Sequence, residues 1–369
     1  WLVLGLCGSI PFLAVQNPQM SVIDSIFESI SGLTTTGATV LKDIDEVVPS
    51  LLFYRQFLQW LGGMGIIVLA VAVLPMLGVG GMQLYRAETP GPMKESKLTP
   101  RIKETAKMLW YIYLSLTICC AVAYYLAGMS FFDAVAHSFS TVAIGGFSTH
   151  NMSIGYFDNA MIELVAIVFM FVAGVNFTLH FLAWRQKSVN HYLKDSEFVT
   201  YASILMLAFL VCSIGLFSLS AADADISAII RKSLFQTISM GTTAGFSTDQ
   251  FQQWPLFFPL ILIFLSFVGG CAGSTGGGIK VVRCLLLYKQ GIREIQRLIH
   301  PNAVLKIRMG NRAVSSRVIE AVWGFFAAYV VVFILLMLAL MLTGLDPITS
   351  FSAVAACLNN LGPGLGSVA

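Results

Sequence analysis

Four short stretches, each running into a glycine and each too short to cross a bilayer, constrain this chain more than any other feature. "SISGLTTTGATV" centres on Gly37, "SFSTVAIGGFST" on Gly146, "TISMGTTAGFST" on Gly245 and "ACLNNLGPGLGS" on Gly362, at spacings of 109, 99 and 117 residues. The register extends both ways. Six positions before the glycines stand Ser31, Ser140, Ser239 and Ala356; two after them stand Thr39, Ser148, Ser247 and Gly364. A second glycine match follows the first three loops, at Gly63, Gly174 and Gly270. Self-similarity in a fixed order means one structural unit copied several times.

The surroundings of these stretches are apolar. The chain is 57% hydrophobic and 11% charged, where soluble domains carry about 25% charge. Apolar spans at 56–77, 108–128, 161–184, 198–219, 255–271 and 321–343 are long enough to be transmembrane candidates. The predicted fold class is therefore an all-α polytopic membrane protein built from four repeats. Each repeat reads as apolar helix, short segment, Gly/Thr-rich loop, apolar helix. The short segments are 22–33, 131–142, 228–240 and 347–358. About 12 helical residues reach only ~18 Å against a hydrocarbon core of ~30 Å, so these segments enter the membrane and stop inside it. Asp346-Pro347 supplies an N-cap followed by proline at the first helical position, and Asp24 and Asp133 favour the same end of their segments through the helix dipole.

The resulting organisation is repeat 1 over 1–77, a linker over 78–107, repeat 2 over 108–184, a linker over 185–197, repeat 3 over 198–288, a linker over 289–315 and repeat 4 over 316–369. Residues 1–15 read as the end of an apolar helix, with more chain expected before Trp1, and no signal peptide is legible. Lys and Arg settle the orientation. The polar stretches 78–107, 185–197 and 280–317 hold 18 of the 22 basic residues, which places them in the cytoplasm. The opposite side carries Asp43, Asp45, Glu46, Asp158, Asp223, Asp225 and Asp249, an acidic rim that suits a vestibule concentrating cations. The linkers 86–107 and 289–315 are basic and fit short amphipathic helices, on the inner leaflet or against a partner.

Non-helical backbone at membrane depth must be shielded by protein or line a wet cavity. Four Gly/Thr loops, one per repeat, can surround one axis and offer their carbonyls in place of a cation's water shell. The C-terminal, partly negative ends of the short helices would face the same centre. An enzyme would need clustered acids, bases or ligands, and none is legible. The seven cysteines lack Cys-x-x-Cys spacing and read as apolar filler.

The loops "FESISGLTTTGAT", "STVAIGGFSTH", "GTTAGFSTD" and "NNLGPGLG" resemble those of the Trk/Ktr/HKT superfamily of potassium transporters, most closely its bacterial Trk membrane subunits. The resemblance covers almost the whole chain, and the set of four loops is specific where any one alone is weak. It implies a single chain folded as four pseudo-symmetric membrane-pore-membrane repeats around a central ion pore, like a potassium channel, located in the bacterial cytoplasmic (inner) membrane, and working as a homodimer with a cytosolic nucleotide-binding ring subunit. Potassium is then the transported ion, and the chain carries no organic cofactor and binds no nucleic acid. Position by position, the filter backbone implied is Thr35, Thr36, Gly37 and Ala38; Ile144, Gly145, Gly146 and Phe147; Thr243, Ala244, Gly245 and Phe246; and Asn360, Leu361, Gly362 and Pro363. A glycine in all four loops implies potassium and rubidium over sodium, with some sodium passage. The family's last helix, which bears a pore-facing positive charge, would follow Ala369. Coupled transport with protons or sodium is the alternative; it calls for ionisable relays at the midplane, and only a broken helix is clear here.

That break is "FVGGCAGSTGGGIK", where Gly269, Gly270, Cys271, Ala272, Gly273, Ser274, Thr275, Gly276, Gly277, Gly278 and Lys280 interrupt an apolar block. Each glycine weakens a helix by about 1 kcal/mol relative to alanine. The stretch is not a phosphate-binding loop, because Ile279 separates Gly278 from Lys280 and Val281 replaces the hydroxyl. It reads as a flexible intramembrane loop beneath the filter, acting as a gate, with Lys280 at the cytoplasmic boundary. In this register Glu28, His137 and Gln236, nine residues before their glycines, are expected to hydrogen-bond behind the filter. Asn176 and His180, one turn apart, suit a helix–helix contact, and Glu163 sits near enough to a helix end to reach water.

Overall fold

A computed structural model describes residues 1–15, 19–68, 102–219, 225–255, 257–303, 305–310 and 312–368. The end of the first span beyond residue 68, most of the linker 78–107 and Asp223 lie outside the described residues. The first repeat opens with α1 (Leu2–Gly8) and α2 (Ile10–Ala14), dips through α3 (Val22–Leu33) and leaves by α4 (Pro49–Val68). The second has α5 (Ile102–Leu126), α6 (Phe131–Ala143) and the pair α7 (Ala160–Ala173) and α8 (Phe177–Gln186). After α9 (Asn190–Lys194), the third runs through α10 (Ser196–Leu219), α11 (Ile226–Thr242), α12 (Phe258–Val268) and α13 (Val281–Ile299). The fourth comprises α14 (Ser316–Leu342) and α15 (Pro347–Asn359).

The short helices α3, α6, α11 and α15 fall where the sequence places them, and their starts have visible causes. Ser21 and Ser130 accept from the N–H of Asp24 and Asp133 at 3.1 Å and donate to the same carboxylates. Asp225 caps α11, and Asp346 accepts from both Ile348 and Thr349 ahead of Pro347. These bonds satisfy amides that a helix leaves orphaned at its first turn. Their far ends are buried against the outer helices. Around α6, Tyr113 and Tyr124 of α5, Met170 of α7 and Phe235 of α11 form one core, while α12, α14 and α15 pack Leu262, Phe333 and Val354 into another.

Three described helices are long and apolar enough to cross a membrane: Lys107–Leu126, Ser196–Leu219 and Ser316–Leu342. The predicted span 161–184 is not continuous. It bends by 93° between α7 and α8, because Gly174 ends the first helix and the Asn176 side chain caps the second by accepting from Thr178 N–H at 3.0 Å. The contact expected of Asn176 is thus a local cap, whereas His180 reaches the Tyr192 hydroxyl at 2.8 Å and the Val172 carbonyl at 3.0 Å. The linker 289–315 is only partly helical: α13 ends at Ile299, and β1 (Arg308–Met309) pairs antiparallel with β2 (Arg312–Ala313).

Candidate cation pathway

All four loops share one backbone trajectory. The residues two before the glycines, Thr35, Ile144, Thr243 and Asn360, have φ between 53 and 70°, and Gly37, Gly146, Gly245 and Gly362 have φ between 76 and 91°. The residue between keeps negative φ in every loop. Non-glycine residues rarely adopt positive φ, so four matched instances are a construction rather than an accident. The entry to each loop is also matched. Thr36, Gly145, Ala244 and Leu361 donate their N–H to the carbonyls of Ser31, Ser140, Ser239 and Ala356 at 2.8–2.9 Å. This is the helix-ending bond that a left-handed residue makes possible, and its acceptor stands six positions before each glycine.

The loops close on one another in order. A Cβ added to Gly37 would stand under 3.0 Å from the Gly145 carbonyl oxygen, one on Gly146 from that of Ala244, one on Gly245 from that of Leu361, and one on Gly362 from that of Thr36. Loop 1 therefore abuts loop 2, loop 2 abuts loop 3, loop 3 abuts loop 4, and loop 4 returns to loop 1. The same four glycines line one cavity of about 870 Å³, shared with Thr39, Ser148 and His150. Of the twelve residues predicted for the filter, eight meet in these contacts, Thr36, Gly37, Gly145, Gly146, Ala244, Gly245, Leu361 and Gly362; Thr35, Ile144, Thr243 and Asn360 are the left-handed residues that lead into them.

Behind the loops, polar side chains hold the backbone. Glu28 accepts from the Thr39 hydroxyl at 2.9 Å and Val40 N–H at 3.1 Å; His137 Nε2 lies 2.9 Å from the Ser148 hydroxyl; Gln236 donates to Ser247 at 3.1 Å. These are the three residues expected nine positions before the glycines, each paired with the hydroxyl two positions after. In the fourth loop Ser352 takes over, donating to the Leu365 carbonyl at 3.0 Å and accepting from its N–H at 2.9 Å. Sequence reasoning missed the strongest brace. Arg55 of α4 is fully buried, ion-pairs with Glu28 at 2.7 Å and lies 4.1 Å from the Phe147 ring centroid. The signal was present: Arg55, Gln56 and Gln59 are three polar residues at the start of an apolar span.

The predicted gate residues form the break between α12 and α13. The loop is bonded under the inner ends of the short helices. Thr275 donates to the Val142 carbonyl at 3.0 Å, Gly277 N–H to the Thr243 hydroxyl at 2.6 Å, and Gly278 N–H to the Asn359 carbonyl at 2.9 Å. Cys271 N–H reaches the Gly174 carbonyl and Ala272 N–H the Glu197 carboxylate. Lys280 turns back onto the Gly276 carbonyl, so its ammonium belongs to the loop.

The outer rim is less negative in effect than its composition suggests. Arg231 pairs with Glu163 at 3.1 Å, Lys232 with Asp249 at 3.2 Å, and His150 Nδ1 lies 2.8 Å from Asp45. Glu163 is accordingly partnered and buried rather than reaching water. Burial opposes protonation of His150, but the carboxylates of Asp133 and Asp45 outweigh it and raise its pKa. The stability this tie adds is full below the unfolded-state value of ~6.5 and is lost as pH rises through the raised folded value. Asp45→Asn should therefore lower the thermal midpoint more at pH 6 than at pH 9, measured by unfolding in detergent. Equal loss at both pH values would show that the tie does not depend on the imidazolium.

The fold and the site together define a multi-pass helical membrane protein whose four loops abut one another around one cavity. The whole chain, residues 1–369, matches the family described as TrkH, cation transport protein, and it belongs to that family. It is 60% identical over 371 residues to the Trk system potassium uptake protein TrkH of Vibrio parahaemolyticus (serotype O3:K6), covering 100% of this chain and 76% of that one. It is 54% identical over 369 residues to the protein of the same name from Escherichia coli K12, again covering 100% and 76%. The solved structure titled "Crystal Structure of the Potassium Transporter TrkH from Vibrio parahaemolyticus" superposes with a TM-score of 0.90 at 56% identity, covering 100% of this chain and 76% of that chain.

Proposed function

We propose that this chain carries potassium into the bacterial cell through a selective, gated pore in the cytoplasmic membrane, and that it is a transporter rather than an enzyme. One observation carries the reading: four loops with the same sequence of backbone signs abut in a closed ring and line one cavity. Carbonyl rings of this kind replace the hydration shell of a dehydrated cation. The potassium uptake named for the relatives supports potassium as the ion, with rubidium as its close substitute. The twelve filter residues named above are the proposed binding set, working through their backbone oxygens.

Residues 269–280 act as the gate. Their bonds to the ends of α6, α11 and α15 support this reading. Thr275→Val removes one of those bonds while keeping the side-chain shape, and should raise basal rubidium uptake several-fold; deletion of 271–277 should raise it further. Unaltered or lower uptake in folded variants would refute the gate. The functional unit is a homodimer that meets membrane lipid and a cytosolic nucleotide-binding ring subunit, as the Trk resemblance implies.

The membrane potential supplies about 2.3 kcal/mol per charge per 100 mV, enough to drive uptake without a coupled ion. Rubidium flux into empty proteoliposomes under an ion gradient alone tests this directly. Flux without a proton or sodium gradient supports a pore, and strict dependence on either gradient would support the coupled transporter instead.

A further inference from the structure

The four loops close alike but are not held alike. Loops 1 and 3 are tied from within: the serine six before the glycine donates to the carbonyl one after it, Ser31 to Ala38 and Ser239 to Phe246, both at 2.6 Å. In loop 2 the matching hydroxyl of Ser140 finds no partner. There α4 of the first repeat does the holding. Gln56 donates to the Phe147 carbonyl at 3.1 Å; Gln59 accepts from Phe147 N–H at 3.1 Å and donates to the Gly145 carbonyl at 2.6 Å. Both glutamines are fully buried. Gly145 is a glycine because of this: a Cβ there would overlap the Gln59 amide, whereas Thr36, Ala244 and Leu361 carry side chains at the same register.

The Gly145 carbonyl is one of the four ring oxygens that abut a neighbouring glycine. Among the described residues the other three, on Thr36, Ala244 and Leu361, accept no hydrogen bond. A carbonyl that already accepts from an amide has less negative field left for a cation, and the donor's own partial positive charge stands nearby. We propose that Gln59 is a specificity-determining residue that weakens one ring oxygen through its hydrogen bond to Gly145, and so biases the ring towards larger, more easily dehydrated monovalent cations. The physical basis is that stronger-field oxygen sites favour smaller ions, field strength being one of the two competing accounts of selectivity in carbonyl filters. This inference rests on the four-loop pathway proposed above.

The test is uptake of rubidium against competing sodium by the full chain in proteoliposomes, for wild type, Gln59→Met and Gln59→Asn. Methionine keeps the length and removes the donor; asparagine keeps the amide and withdraws it by one carbon. Size-exclusion profiles of both variants in detergent report folding independently of flux, and either variant suffices for the ion ratio. The expected result is a rubidium-over-sodium preference reduced about threefold or more, a ratio of ~0.65 kcal/mol at RT ≈ 0.59 kcal/mol, with rubidium flux retained. A selective wild type whose ratio is unmoved in the folded variants, even if total flux falls, overturns the role of Gln59 and leaves the pathway standing. A wild type with no preference at all overturns the pathway reading and this inference together.

Discussion

Replacing Gly245 with serine should cut the preference for potassium over sodium by about tenfold or more, equivalent to ~1.4 kcal/mol, and Gly146→Ser should do the same. Two constraints converge on these positions. Both glycines hold φ above 75°, where a Cβ is strained, and a Cβ at either would stand under 3.0 Å from the carbonyl oxygen of the next loop, that of Leu361 or Ala244. The neighbour is backbone, which cannot swing aside as a flexible side chain can. The loop must shift, and the ring oxygen it meets must shift with it. Rubidium uptake with sodium as competitor reads the change. Unchanged rubidium and sodium fluxes in folded variants would refute the assignment of these loops as the filter.

The second large effect belongs to Arg55. Its guanidinium and the Glu28 carboxylate are both buried, and Arg55 also reaches the Thr39 hydroxyl at 3.1 Å and the Ser148 carbonyl at 3.4 Å. Removing one partner of a buried pair leaves the other charge uncompensated and typically costs ~3–5 kcal/mol. Arg55→Met should therefore destabilise the chain strongly, seen as a large drop in thermal midpoint and in the monodisperse fraction in detergent. The double variant Glu28→Gln/Arg55→Met should recover much of that loss, because glutamine still offers an oxygen to Val40 N–H and no charge is stranded. A double variant as unstable as Arg55→Met would mean that the packing of Arg55 over Phe147, rather than charge compensation, is what matters.

The short helices were legible because their causes are local: an N-cap, a length insufficient to span, and a glycine where the chain must turn left-handed. The same holds for the pairing of Glu28, His137 and Gln236 with hydroxyls eleven residues later, which the aligned register exposes directly. Bonds between repeats were not legible in this way. The bend after α7 hides inside an uninterrupted apolar run, and hydropathy is blind to it. Gly174 aligns with Gly63 and Gly270, and Asn176 follows it as a ready cap, so the signal lay in the repeat rather than in the local composition. Arg55 counted only as one basic residue outside the linkers, although a charge in an apolar helix asks for a partner. The first glycine of "AIGGF" has no local explanation; it becomes intelligible only once Gln59, 86 residues earlier, is seen to fill the space beside Gly145.

The acidic rim shows the opposite failure. Composition alone reads seven carboxylates as a field that concentrates cations. The structure commits Asp45, Asp249 and Asp225 to a histidine, a lysine and a helix cap. Counting charges overestimates a vestibule's pull wherever its counter-charges come from the same rim.

The central claim, that four abutting loops form a potassium-selective ring, is tested most directly by rubidium uptake into proteoliposomes containing the wild-type chain, with potassium or sodium added outside as competitor. The ring predicts that potassium suppresses rubidium uptake at concentrations where sodium has little effect. Equal suppression by the two ions would contradict it.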